Sequence, residues 1–82
     1  MNFILDHNGT EAVNLAFVRS FAIERIVYQD GTATETHVTA ELDDDSEVPI
    51  KIFDSADADV NFSAAKTYLA ELVDELNGGG NS

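Results

Sequence analysis

Between Thr36 and Phe53 apolar residues fall on every second position: Val38, Ala40 and Leu42 alternate with His37, Thr39 and Glu41, then Val48, Ile50 and Ile52 alternate with Pro49, Lys51 and Phe53. A period of two on both arms predicts a β-hairpin with one apolar face. Residues opposite each other on antiparallel strands share a face, so pairing Leu42 with Val48, Ala40 with Ile50 and Val38 with Ile52 keeps that face whole. The register centres the connection on Asp45 and predicts a three- or five-residue loop within Asp43 to Glu47. It also sets Pro49 opposite Glu41. Proline has no N–H to give to a ladder, so the strand from Val48 to Phe53 is expected at a sheet edge or shortened at its start.

Upstream, Phe3, Ile4 and Leu5 precede His7-Asn8-Gly9-Thr10, and Ala12, Val13 and Leu15 follow it. Asn-Gly supplies the positive φ values of a type I′ turn cheaply, which predicts a first hairpin with Asn8-Gly9 at its tip. From Val18 to Tyr28 apolar residues occupy both parities, as in a strand covered on both faces. A helix from Glu11 to Arg25, capped by Thr10, would place Leu15, Val18, Ala22 and Ile26 on one side. The β-branched and aromatic run Phe21 to Tyr28, ending in the turn signal Asp30-Gly31, favours the strand. A two-residue turn there sets Tyr28 opposite Ala33, Ile23 opposite Val38 and Phe21 opposite Ala40. Phe21 and Ile23 thereby join the core face, and Val18, Ala22, Ile26 and Tyr28 are left on the outer face with Phe53.

After the polar connection DSADADVN, the residues Phe62, Ala65, Leu69, Leu72 and Leu76 recur at helical spacing, with Tyr68 and Val73 widening the stripe. An amphipathic helix from Phe62 to Asn77 follows, with Asn61 as its N-cap, Asp57 and Asp59 near the positive end of its dipole, and Gly78 just past its end. The fold class expected is therefore α+β: an antiparallel β-meander of four or five strands with one C-terminal helix packed on one face. Residues 1–77 form one domain in this reading, and residues 78–82 a flexible glycine-rich tail.

Composition narrows the chemistry. The chain of 82 residues carries 16 Asp and Glu against 4 Lys and Arg, a net charge of −12. Phosphate backbones and anionic lipid surfaces repel such a chain, so direct nucleic-acid and membrane partners are not expected. There is no Cys, hence no disulfide, thiolate metal site or Cys nucleophile. No apolar run approaches the length of a membrane span, and MNFILDHNG lacks the basic start and long apolar stretch of a signal peptide, so a cytoplasmic protein is expected.

No motif carries catalysis. Asp57-Ala58-Asp59-Val60-Asn61 opens like a calcium loop, but Phe62 and Tyr68 stand where that loop needs glycine and a bidentate glutamate, and a helix entrance explains the acids better. Asp43, Asp45 and Glu47 crowd the hairpin tip, where a loosely held surface cation is conceivable and a solvated turn is the plainer reading. His7 and His37 lack metal-ligand spacing, and no Ser or Thr stands in a nucleophile frame. No catalytic residue, cofactor, structural metal or small-molecule substrate is therefore inferred.

The segment FILDHNGTEAVNL, followed by a strand, a further hairpin and a C-terminal helix, resembles a loose class of small β-meander-plus-helix proteins of phage and prophage regions that includes FlbD-like flagellar-operon proteins. The same order of elements also resembles a pleckstrin-homology-type half-barrel capped by a helix. Neither resemblance implies catalysis or supplies a site residue. Two function classes follow from the chain itself. One is a small interaction module that forms a homodimer through an outer-face surface of Val18, Ala22, Ile26, Tyr28 and Phe53. The other is an acidic decoy that mimics nucleic acid toward a nucleic-acid-binding protein.

Overall fold

The computed structural model describes residues 2–28 and 34–78. Among these residues, five antiparallel strands and one C-terminal helix make an α+β fold, with the strands divided between two sheets. Strands β1 (Phe3–Leu5) and β2 (Ala12–Asn14) form the first hairpin, and a single 3-10 turn, Leu15–Phe17, leads into the second sheet. That sheet has the order β3 (Val18–Val27), β4 (Thr34–Leu42), β5 (Glu47–Phe53), so β5 is the edge strand that Pro49 foretells. Helix α1 (Ala58–Leu76) lies across β4, with β3 and β5 on either side. The Asp30-Gly31 turn, the Tyr28–Ala33 pair and the tail beyond Gly78 lie outside the described residues.

The core is a single apolar cluster between the three-stranded sheet and α1. Val38 and Ala40 of β4, Ile50 of β5, and Ala65 and Leu72 of α1 are buried, and Ile4 and Val13 of the first hairpin join them. Ile4 stands directly opposite Val13, so β1 and β2 each offer one side chain to the same core. Leu15 N–H donating to Asn2 C=O extends the ladder of the hairpin, and His7 N–H donating to Pro49 C=O ties it to β5. It therefore adds to the helix side of the molecule and does not fold over the outer face.

Phe21 pairs with Ala40 and Ile23 with Val38, the register expected from the sequence. The segment Leu15–Phe17 takes one 3-10 turn, and the strand starts at once, so no helix runs from Glu11 to Arg25. Two bulges then change which residues face the core. Val18 pairs with Leu42 whereas Ser20 pairs with Glu41, leaving Arg19 as the extra residue. The extra residue inverts the alternation, so Val18 packs against the core instead of standing on the outer face.

On β5 the shift falls at Ile50: Thr39 pairs with Pro49 and Val38 with Lys51. A bulge beside a residue that cannot donate to the ladder disrupts few hydrogen bonds, which accounts for its position. The expected pairs Leu42–Val48, Ala40–Ile50 and Val38–Ile52 are replaced by Ala40–Val48, Val38–Lys51 and His37–Ile52, and Pro49 stands opposite Thr39, not Glu41. Beyond the bulge the faces are exchanged. Phe53 pairs with Thr36 on the helix side, and Ile52 turns to the outer face.

Turns differ in detail from their signals. Leu42 N–H donates to Ser46 C=O and Asp45 N–H to Leu42 C=O, so the loop is the three residues Asp43, Asp44 and Asp45, centred on Asp44. Asp45 takes φ 69°, the left-handed residue that ends such a loop. In the first hairpin Gly9 N–H donates to Asp6 C=O and Asp6 N–H to Glu11 C=O, which makes a wider connection than a two-residue type I′ turn. The cause is Asp6, whose carboxylate accepts the Thr10 N–H at 2.9 Å and the Glu11 N–H at 3.3 Å. These bonds, the Thr10 N–H foremost, hold the Asp6 carboxyl below its ordinary pKa. Gly9 alone needs positive φ, at 70°, and an added methyl would meet nothing within 4 Å. Gly9→Ala is thus expected to cost about 1–2 kcal/mol from backbone conformation alone, with Gly9→Asn recovering much of it in urea titrations.

The helix starts before the expected cap. Asp57, not Asn61, is the N-cap, and its carboxylate accepts from the N–H groups of Asp59 at 2.9 Å and Val60 at 3.2 Å. Asn61 is buried one turn inside and closes the connection from β5. Its Oδ1 accepts from Ser55 N–H and Ser55 Oγ–H at 2.9 and 2.6 Å, and its Nδ2 donates to Ser55 C=O at 2.9 Å. At the other end Asn77 is the C-cap and Gly78 takes φ 102°, the positive φ expected of it.

Candidate interaction surfaces

The outer face of the three-stranded sheet is built in rungs set by the register. Ser20, Glu41 and Glu47 form one; Ala22, Thr39 and Pro49 the next; Glu24, His37 and Ile52 a third; Ile26 and Glu35 a fourth. Thr39, at the centre, is only 2% exposed. Of the residues assigned to this face from the sequence, Ala22 and Ile26 stand on it. Tyr28, just past β3, leans to the same side by donating its hydroxyl to Glu35. Val18 and Phe53 are on the helix side for the reasons given above, so the five residues do not form one surface. Ile52 takes the place expected of Phe53. The signal that could have found it is Pro49, a marker of bulges as well as of edges.

Several carboxylates on this face are satisfied from within. Ser20 Oγ–H donates to Glu41, and the His37 ring Nε2 lies 2.8 Å from Glu35 Oε1. The His37 contact first, and the Tyr28 hydroxyl second, hold the Glu35 carboxyl below its ordinary pKa. At the hairpin tip Asp45 is drawn to Arg19 at 3.0 Å, and Asp44 accepts both the N–H and the hydroxyl of Ser46. Glu47 belongs to the outer face opposite Glu41. Asp43, Asp45 and Glu47 are not gathered round a point. Among the described residues no group of three or more His, Asp or Glu is placed to hold a metal ion.

A second surface lies on the helix side, where the exchanged parity of β5 sets Phe53 beside α1. The Phe53 and Tyr68 rings meet edge to face with centroids 6.1 Å apart. Beside them runs a shallow, open trough of two adjoining hollows, about 540 and 600 Å³, that share Lys51 and Tyr68. One is walled by Phe53, Val60, Ala64 and Thr67, the other by the first hairpin with Phe3 and Leu5. Phe3, Leu5 and Val60, each more than half exposed, border this trough; Phe17 and Val27 are more exposed still.

All four basic side chains are engaged within the chain. Arg19 pairs with Asp45, the Arg25 guanidinium stands 5.2 Å over the Phe62 ring, the Lys66 ammonium 5.6 Å over that same ring, and Lys51 5.7 Å over Phe53. A chain of net charge −12 that has committed its few cations in this way offers little to an anionic ligand. No helix among the described residues is long and apolar enough to cross a membrane.

No family model matches the chain, and no curated protein and no solved structure matches it either.

Proposed function

We propose that this protein is a small, non-catalytic, cytoplasmic interaction module that associates with a second copy of itself through the outer face of the three-stranded sheet. The observation that carries this reading is the one-sided architecture. The helix and the first hairpin both pack on the same side, which leaves Ala22 and Ile26 of β3 and Pro49 and Ile52 of β5 without a covering layer. Burying a face that holds carboxylates is costly unless they keep partners, and here Glu35 and Glu41 already have donors on the same face.

The like charge of two copies opposes association at low ionic strength, and salt near physiological levels screens beyond roughly 8 Å. Dimerisation is therefore expected to strengthen as salt is raised from low levels. Sedimentation velocity of the wild type and of Ile26→Asp tests the reading. A dimer that becomes a folded monomer on substitution supports it. A wild type that stays monomeric at every soluble concentration and salt level sinks it.

A further inference from the structure

We propose that the trough between the first hairpin, β5 and α1 binds a cationic segment of a partner protein anchored by one or two large apolar side chains. The trough offers such anchors a floor of Phe53, Val60 and Tyr68 and a far wall of Phe3 and Leu5. Hollows of about 540 and 600 Å³ suit a few side chains, and their apolar lining is what gives binding energy on desolvation.

Charge selects the guest. Glu71 lines the first hollow, Glu75 lies close enough to Tyr68 to help burial raise its hydroxyl above the ordinary pKa, and Asp6 lines the second. Lys51, the one Lys or Arg that lines the hollows, is turned onto the Phe53 ring of its own chain. A second copy of this chain would bring another net charge of −12 to the same place, and a basic partner would bring the opposite sign.

Main-chain addition to β5 is not how the guest attaches. Pro49 has no N–H, its carbonyl is taken by His7, and the bulge at Ile50 distorts the edge that an added strand would follow. Recognition therefore falls to side chains in the trough.

The probes are two synthetic peptides of equal length and charge, both lysine-rich, one with a central Leu-Phe pair and the other with Ser-Ser. They are titrated into the full chain and followed by amide chemical shifts. The Leu-Phe peptide is expected to bind about tenfold more tightly, with shifts concentrated on Lys51 to Phe53 and Val60 to Glu71. Thr67→Arg, an exposed change on the trough wall, should weaken it by about tenfold, whereas Ala70→Arg, the same added charge on α1 outside the trough, should change it little. Equal affinity for both peptides, equal weakening by both variants, or shifts spread over the whole acidic surface would reduce the effect to bulk charge and overturn the proposal. So would the absence of binding, or trough shifts that move with protein concentration alone, which would make the occupant a second copy.

Discussion

Leu72→Ala is expected to lower the unfolding free energy by about 3–4 kcal/mol, the largest loss from a single truncation in α1. Leu72 is 6% exposed, facing a β4 floor of Val38 and Ala40 that is itself closed to solvent. Truncation removes apolar burial and leaves a cavity between α1 and the sheet, so collapse recovers only part of the loss. A domain of this size is stable by about 4–12 kcal/mol, so the variant loses between about a quarter and all of its margin. Leu69 packs against the same cluster but is half-buried, and Leu69→Ala should cost about half as much. Urea titrations followed by circular dichroism rank the two, and a loss below about 1 kcal/mol at Leu72 would show that the helix seats on a different face.

Asn61→Leu is the second, with an expected loss of about 2–4 kcal/mol despite a gain in side-chain hydrophobicity. Asn61 is 2% exposed, and its amide answers the N–H, the hydroxyl and the carbonyl of Ser55 together. Leucine would take the partners of the Ser55 N–H and C=O at a partly buried site and leave the hydroxyl only the Asp57 carbonyl, and a donor or acceptor stranded in this way costs more than the original bond contributed. Asn61→Asp keeps the acceptor and loses the donor to Ser55 C=O, so a smaller loss is expected. Thermal melts of both variants check the order, and an Asn61→Leu protein that melts with the wild type would refute the role given to the Ser55 bonds.

The regular parts of the fold were legible in the sequence, because alternation and helical spacing report a face as long as the backbone keeps its period. The stripe on α1 came from that spacing, Phe21 and Ile23 against Ala40 and Val38 from a turn signal joined to the alternation, and the edge position of β5 from Pro49. Where one extra residue resets the period, the pattern continues to look regular while its meaning inverts. The bulges at Arg19 and Ile50 moved Val18, Ile52 and Phe53 in this way and broke up the expected outer-face surface. Local competition hid two further details: Asp6 captured the N–H groups that widen the first turn, and Asp57 took the cap assigned to Asn61. The stacking of Arg25, Lys51 and Lys66 on Phe62 and Phe53 joins a side chain to a ring that only the fold selects, and composition alone reads those cations as free.

Both bulges sit on the outer strands of the sheet, with the central strand β4 between them. A residue gained or lost at Arg19 or Ile50 would exchange the faces of one margin only, sending Val18 outward or trading Phe53 for Ile52, while the alternation of β4 stayed in step with the helix above it. Chain length can therefore drift at the two borders of this sheet as small insertions and deletions accumulate. What such a change rewrites is the composition of the exposed surfaces, so binding properties can be inherited in altered form on an unaltered centre.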